Sequence, residues 1–154
     1  MPLMVLKKLF LVLLLAVFSY SFDEIYFLPD QAKEAKSEIL KLIDNAQNKI
    51  DIAMYNLSYK KFVKALRKAH KKGVEVTVIY DKSDLELPKK FDLIKPKRKQ
   101  HIKLAIIDDK VAVYGSANWT KQSFGKNYEI INITDDSEKL EKFIRIIKNL
   151  KKGK

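Results

Sequence analysis

The sequence predicts a mixed α/β fold, with a central mixed β-sheet flanked by helices. Three observations lead there. Short β-branched segments alternate with segments of helical period along most of the chain. Two late strand segments, Ile102 to Ile107 and Val111 to Gly115, lie close enough to form a hairpin, so the sheet cannot be wholly parallel. A length of 154 residues allows one sizeable core and leaves little room for two.

The elements follow in order. Ile25 to Leu28 is a short strand stopped by Pro29. Asp30 is the expected N-cap of a helix whose Ala32, Ala35, Ile39, Leu42, Ile43 and Ala46 recur on one face. Lys49 to Tyr55 reads as a buried strand. Ser58 is expected to cap a second helix, with Phe62, Val63, Leu66 and Ala69 inward and Gly73 ending it. Val74 to Tyr80 is a β-branched strand. Asp81 to Gln100 is polar, contains Pro88 and Pro96, and reads as a loop with one short strand near Phe91 to Ile94. After the hairpin and a loop comes a strand from Tyr128 to Thr134. Ser137 is expected to cap a last helix with Leu140, Phe143, Ile144, Ile147 and Leu150 on its core face.

The first 21 residues differ in kind. Lys7-Lys8 precede the apolar run Leu9 to Phe18, and small residues follow at Ser19 and Ser21. This reads as a secretory leader cleaved after Ser21, leaving residues 22–154 as a single domain. The alternative is an uncleaved membrane anchor, although an apolar run of about ten residues is short for a span that needs roughly 20. Either reading places the domain in the periplasm or outside the cell, with membrane association through residues 1–21 in the second case.

Composition bounds the chemistry. No cysteine is present, which excludes thiol catalysis, thiolate metal sites and disulfides. His70 and His101 are the only histidines, too few for a multi-histidine metal centre. The net charge of +12 points to polyanions, either nucleic acid or acidic lipid headgroups.

The informative stretch is Gln100 to Glu129. With Asp109-Lys110 as a two-residue hairpin loop, His101 lies across from Asn118 and Lys103 across from Ser116. An imidazole, an ammonium, a hydroxyl and an amide then converge on one patch inside otherwise apolar strands. Such a set of donors suits the non-bridging oxygens of a phosphate, and the histidine can attack phosphorus or move a proton. The convergence requires an even loop, since an odd one would throw Ser116 and Asn118 to the opposite face.

His101-x-Lys103, four residues, Asp108, six residues, then Gly115-Ser116-x-Asn118 resembles the HxKx4Dx6GSxN motif of the phospholipase D superfamily. Upstream, KIDIAMYNLS, AHKKGVEV and the strand closing on Asp81-Lys82-Ser83 resemble its small single-motif nucleases, and Asn127-Tyr128-Glu129 stands where those carry an acid. The resemblance implies a phospholipase D-like fold and a phosphodiesterase. In that reading His101 is the nucleophile and forms a phosphohistidine, Glu129 orients its imidazole, and Lys103 and Asn118 hold phosphate oxygens with Ser116 in support. Asp108, on the other face, orders the hairpin or an ion pair. No metal and no cofactor is implied, because lysine and amide dipoles supply the charge stabilisation. The leaving oxygen needs a second acid. His70 reads as a solvated helix residue, so the expected acid is His101 of a second subunit in a homodimer.

The substrate implied is nucleic acid, gripped non-specifically through its phosphates by Lys97, Arg98 and Lys99, the lesser alternative for this segment being a solvated charged loop. Trp119 is either a base-stacking residue or core. The alternatives are a phospholipid hydrolase or phosphatidyl transferase of the same superfamily, and an inactive nucleic-acid-binding module.

Overall fold

The computed structural model describes residues 21–83 and 85–153. Nearly all of the expected leader lies outside the described residues, and no described helix is long and apolar enough to cross a membrane. The elements are β1 (Asp23–Leu28), α1 (Ala32–Asn45), β2 (Lys49–Asn56), α2 (Lys60–Lys71), β3 (Glu75–Lys82), β4 (Asp92–Ile94), β5 (Lys103–Ile107), β6 (Val111–Gly115), α3 (Lys121–Gly125), β7 (Glu129–Thr134) and α4 (Ser137–Lys152).

Among the described residues seven strands form one sheet, in the order β1-β7-β6-β5-β2-β3-β4. β2, β3 and β4 run parallel, while β5, β6, β7 and β1 pair antiparallel. The mixed sheet is thus as expected. Period-two alternation divides its core. Ile50, Ile52 and Met54 of β2 join Ile39 of α1 and Leu66 of α2 on one face. Ala53, Leu104, Ile106 and Ala112 pack under Leu140 and Ile147 of α4 on the other.

Three expected caps are displaced by one residue. Gln31, not Asp30, is the N-cap of α1, and its side chain instead accepts from the Phe27 amide at 2.9 Å. Tyr59 precedes α2, because the Ser58 hydroxyl donates to Asn56 Oδ1 at 2.7 Å. Asp136 caps α4 by accepting from the Lys139 amide at 2.8 Å, which leaves Ser137 as the first helical residue. The end of α2 is as expected. Gly73 takes φ +98°, its amide donates to His70 O, and the Val74 amide donates to Ala69 O.

The hairpin register differs from the expectation, and the difference reshapes the site. Ile107 pairs with Val111 and Leu104 with Tyr114, so the loop holds Asp108, Asp109 and Lys110. The cause is tertiary. Asp108 accepts from the amides of Gln47, Asn48 and Lys49 at 2.9, 2.8 and 3.0 Å. Asp109 takes the Lys49 ammonium at 2.8 Å. These bonds hold both aspartates at φ 54° and 55° and draw them out of the ladder.

Candidate active site

An odd loop sends Ser116 and Asn118 to the wrong face only if β6 continues, and it stops at Gly115. This residue has φ +152°, and a Cβ on it would collide with the Ile130 carbonyl. Beyond it the Ser116 hydroxyl, rather than a main-chain carbonyl, accepts the Ile130 amide at 3.0 Å. The chain then crosses the end of β2, where Leu57 bridges Trp119 and the amides of Ser58 and Tyr59 both donate to Trp119 O. His101, Lys103 and Asn118 therefore lie at the carboxyl ends of the parallel strands β2 and β3, where open α/β sheets bind ligands, whereas Asp108 is held at the amino end of β2.

There His101 is exposed, its ring centroid 4.6 Å from that of Tyr55. The Lys103 ammonium lies 2.7 Å from His101 Nδ1 and 2.7 Å from the His101 carbonyl. Lysine has only donors, so the ring nitrogen accepts. Burial pushes the Lys103 amine below its ordinary value, and the Glu129 carboxylate partly restores it. Asn118 Oδ1 accepts from the Asn56 amide at 3.1 Å, which turns its NH2 outward as a free donor. Glu129 accepts from Ser116 Oγ at 2.5 Å and from Asn127 Nδ2 at 3.2 Å, and makes no hydrogen bond to His101 within the chain.

The remaining expectations divide. Lys97 and Arg98 are exposed on the loop before β5, while the Lys99 ammonium lies 5.5 Å from the Tyr55 ring. Trp119 is core, 2% exposed and 4.7 Å from Phe62 by ring centroids, so it cannot stack on a base. His70 is half-buried rather than solvated. Its Nδ1 lies 3.2 Å from Val74 O and its ring meets the edge of Phe91. It sits before β3 begins, whereas the site borders the other end of that strand, roughly 20 Å away at the rise of a β-strand.

Two participants were missed. Tyr55 carries the ammonium groups of Lys82 and Lys103 at 5.3 and 5.5 Å, besides Lys99 and His101. Asn56 holds Asn118. Both close the strand KIDIAMYN, and their position at the carboxyl end of a parallel strand was the available signal. Among the described residues no group of three or more His, Asp or Glu is placed to hold a metal ion.

The family described as "Cardiolipin synthase, PLD-like domain" matches residues 39–151, which contain the whole constellation. The chain belongs to the phospholipase D-like superfamily of phosphodiesterases.

Within that superfamily it is 30% identical over 124 residues to a human mitochondrial cardiolipin hydrolase, covering 73% of this chain and 49% of that protein. It is 30% identical over 120 residues to a phospholipase D of Rickettsia conorii, covering 70% and 59%. The chain spans about half the length of the first of these curated relatives. NucT from Helicobacter pylori superposes with a TM-score of 0.76 at 25% identity, covering 86% of this chain and 97% of that one. Nuc from Salmonella typhimurium, a phospholipase D family member, gives 0.74 at 22% identity, covering 86% and 95%.

Asp108 touches no part of the phospholipase D-like site. Burial opposes its ionisation, but three amide donors outweigh burial and hold its carboxyl below the ordinary value. Its stabilising effect is therefore full above the unfolded value of 3.8 and lost as pH falls through the lower folded value. Asp108→Ala should cost about 2–3 kcal/mol, measured by denaturant unfolding at neutral pH. The loss should shrink in acid, and turnover per folded molecule should stay within a few-fold. An equally large loss at pH 2 would remove the carboxylate from this account.

Proposed function

We propose that the chain is a metal-independent nuclease that hydrolyses the phosphodiester bonds of DNA or RNA. The supporting observation is the set of donors at the ends of β2 and β3, where His101, Lys103 and the free Asn118 amide are rimmed by Lys82 and Lys99. The adjoining hollow of about 320 Å³ is lined by residues with polar or charged side chains, Asn56, Ser58, Lys60, Thr120, Lys121 and Gln122, whose hydrogen-bonding groups suit phosphate and sugar better than acyl chains.

In the proposed reaction a phosphate displaces His101 as the acceptor of the Lys103 ammonium. The imidazole nitrogen attacks phosphorus, the P–O bond to the leaving group breaks, and that oxygen takes a proton from a second imidazolium. Water, giving a proton back to the same imidazole, then cleaves the phosphohistidine and releases a phosphomonoester.

The second imidazole is His101 of another copy in a homodimer. His70 is remote, and a face is available beside the site. α4 packs on β2, β5 and β6, so Ile25, Phe27 and Ile130 of β1 and β7 stay uncovered, with Tyr128 83% exposed and stacked on Phe27. Glu129 adjoins this strip. Its imidazole-orienting role would be completed across the two-fold axis.

Export fits the amino-terminal end of the fold. The Phe22 nitrogen lies 2.5 Å from Asp135 Oδ1, so cleavage after Ser21 would turn an amide hydrogen bond into an ion pair.

Phospholipid hydrolysis is the second reading, favoured by the same apolar strip and by the names of the curated relatives. Plasmid DNA and cardiolipin vesicles, each assayed in excess chelator, separate the two. The expected result is DNA cleavage that persists in chelator and falls steeply at high salt, where phosphate contacts are screened. Loss in chelator with recovery on added magnesium would overturn the metal-independent mechanism. Cleavage confined to the vesicles would move the assignment to lipid. Full cleavage by His101→Ala would trace the activity to a contaminating nuclease and leave this chain a nucleic-acid-binding module.

A further inference from the structure

Helix α2 carries charge that the fold does not use. Its residues include Lys60, Lys61, Lys64, Arg67, Lys68 and Lys71 and no acid. Lys60 and Lys61 occupy the first turn, where the helix dipole disfavours cations. Lys60 with Lys64, Lys64 with Lys68, and Arg67 with Lys71 are like-charged neighbours four apart, which weakens a helix. Lys68 meets Asp44 of α1, which also serves Lys72. Among the described residues the other five cations make no ion pair. Helix α4, by contrast, intersperses Glu138 and Glu141 among its cations and pairs Glu141 with Arg145. Apart from the Lys68–Asp44 pair and the favourable place of Lys68 and Lys71 in the last turn, folding gains little from the cations of α2.

The row also has a direction. Lys60 shares the hollow at the edge of the active site with Asn56 and Lys121. Lys61, Lys64, Arg67 and Lys71 then wall a groove of about 830 Å³ between α1 and α2, whose floor is largely apolar over Leu40 and Ala65 and whose α1 side carries Lys41 and the Asp44 carboxylate that Lys68 neutralises. Arg67 and Lys71 continue into a second hollow of about 630 Å³ beside Lys89 and Lys90. At 1.5 Å per residue the helix covers roughly 18 Å. That length spans several successive phosphates of one strand.

We propose that this groove is a second, non-catalytic binding track, which holds a polynucleotide strand as it leads away from the active site. The inference rests on the nucleic-acid reading of that site. Cations that follow a groove away from the active site suit the successive phosphates of a strand, whereas a bilayer would meet only the groove's rim.

The test is the variant Lys61→Gln/Lys64→Gln/Arg67→Gln/Lys71→Gln, since glutamine keeps helix propensity and removes charge. Binding of a labelled single-stranded DNA, read by anisotropy, should weaken at least about tenfold at moderate salt, and the slope of log K against log salt should fall by about 3. Hydrolysis of bis(p-nitrophenyl) phosphate should be unchanged, and the melting temperature equal or higher, because repulsion has been relieved. Removing charge from α4 with Lys142→Gln/Arg145→Gln/Lys148→Gln should weaken binding far less. If the quadruple variant misfolds, Lys64→Gln/Arg67→Gln carries the same expectation at about half the slope change.

An unchanged affinity and slope, or an equal loss from α4, would overturn the track. So would lost binding to cardiolipin vesicles with DNA affinity intact, which would assign the surface to membranes. A wild-type protein that hydrolyses the small diester but cuts no DNA would sink the nuclease reading alone, because the DNA-binding comparison still decides the track.

Discussion

Lys103→Met is expected to lower turnover about 10²–10³-fold, the usual loss when one preorganised donor to the transition state is removed. The same change should leave the protein at least as stable as before. Lys103 is 8% exposed, and it pairs in the ladder with Met54, which is fully enclosed. Burial holds its amine below 10.5, so the folded chain binds its proton less tightly than the unfolded chain does. The charged side chain therefore costs stability at neutral pH, and the cost is relieved as pH rises through the folded value toward 10.5. Methionine keeps the length and removes the charge. A site that gives up stability to hold a cation is serving chemistry. The alkaline limb of kcat should accordingly fall below the ordinary lysine value. Measured together, turnover and melting temperature decide the matter. A variant that loses activity only in proportion to lost stability would make Lys103 structural.

Excess His101→Ala chains are expected to suppress wild-type activity well beyond dilution. The alanine protein alone should be inactive, because neither subunit retains a nucleophile or an acid. With about nine mutant chains per wild-type chain and random pairing, only about one dimer in a hundred keeps both imidazoles, although a tenth of the chains are wild type. Activity per wild-type chain should then fall about tenfold once subunits have exchanged. Exchange is followed independently by mixing two fluorescently labelled preparations. Activity that follows the wild-type fraction linearly despite proven exchange would rule out the shared site. A fully active monomer, shown by ultracentrifugation at assay concentration, would do the same and would turn attention to water as the acid.

The stretch His101 to Asn118 and the order of strands and helices were legible because both are local patterns. Hydrophobic period distinguishes strand from helix within a few residues, and motif spacing is read along a single segment. The expected hairpin register was wrong for a reason no local pattern contains. Asp108 is captured by the Gln47 amide, 61 residues earlier, and leaves the ladder. Asn118 nevertheless reaches the end of β2 that His101 and Lys103 also border, through the stop at Gly115 and the bridge from Trp119 to Leu57. Trp119 had even claims as base-stacker and core because composition cannot say which neighbours surround an indole. Phe62 packs against the indole, and Phe124 packs on Phe62. The caps at Asp30, Ser58 and Ser137 were each one residue off, since the competing partners, Phe27, Asn56 and Lys139, belong to the detailed path of the chain.

By itself, then, the sequence determined the mixed α/β class, the cationic character and the identity of the polar groups offered to a phosphate. Each depends on residue type and short-range spacing. Only the tertiary structure decided which of those groups meet. It placed Tyr55 under three ammonium groups, turned the Asn118 amide outward, moved His70 to the far end of the sheet and left one face of β1 and β7 bare. These outcomes follow from contacts between segments far apart in the chain, where one charge-assisted hydrogen bond or one close approach of backbone outweighs the local preference for regular alternation.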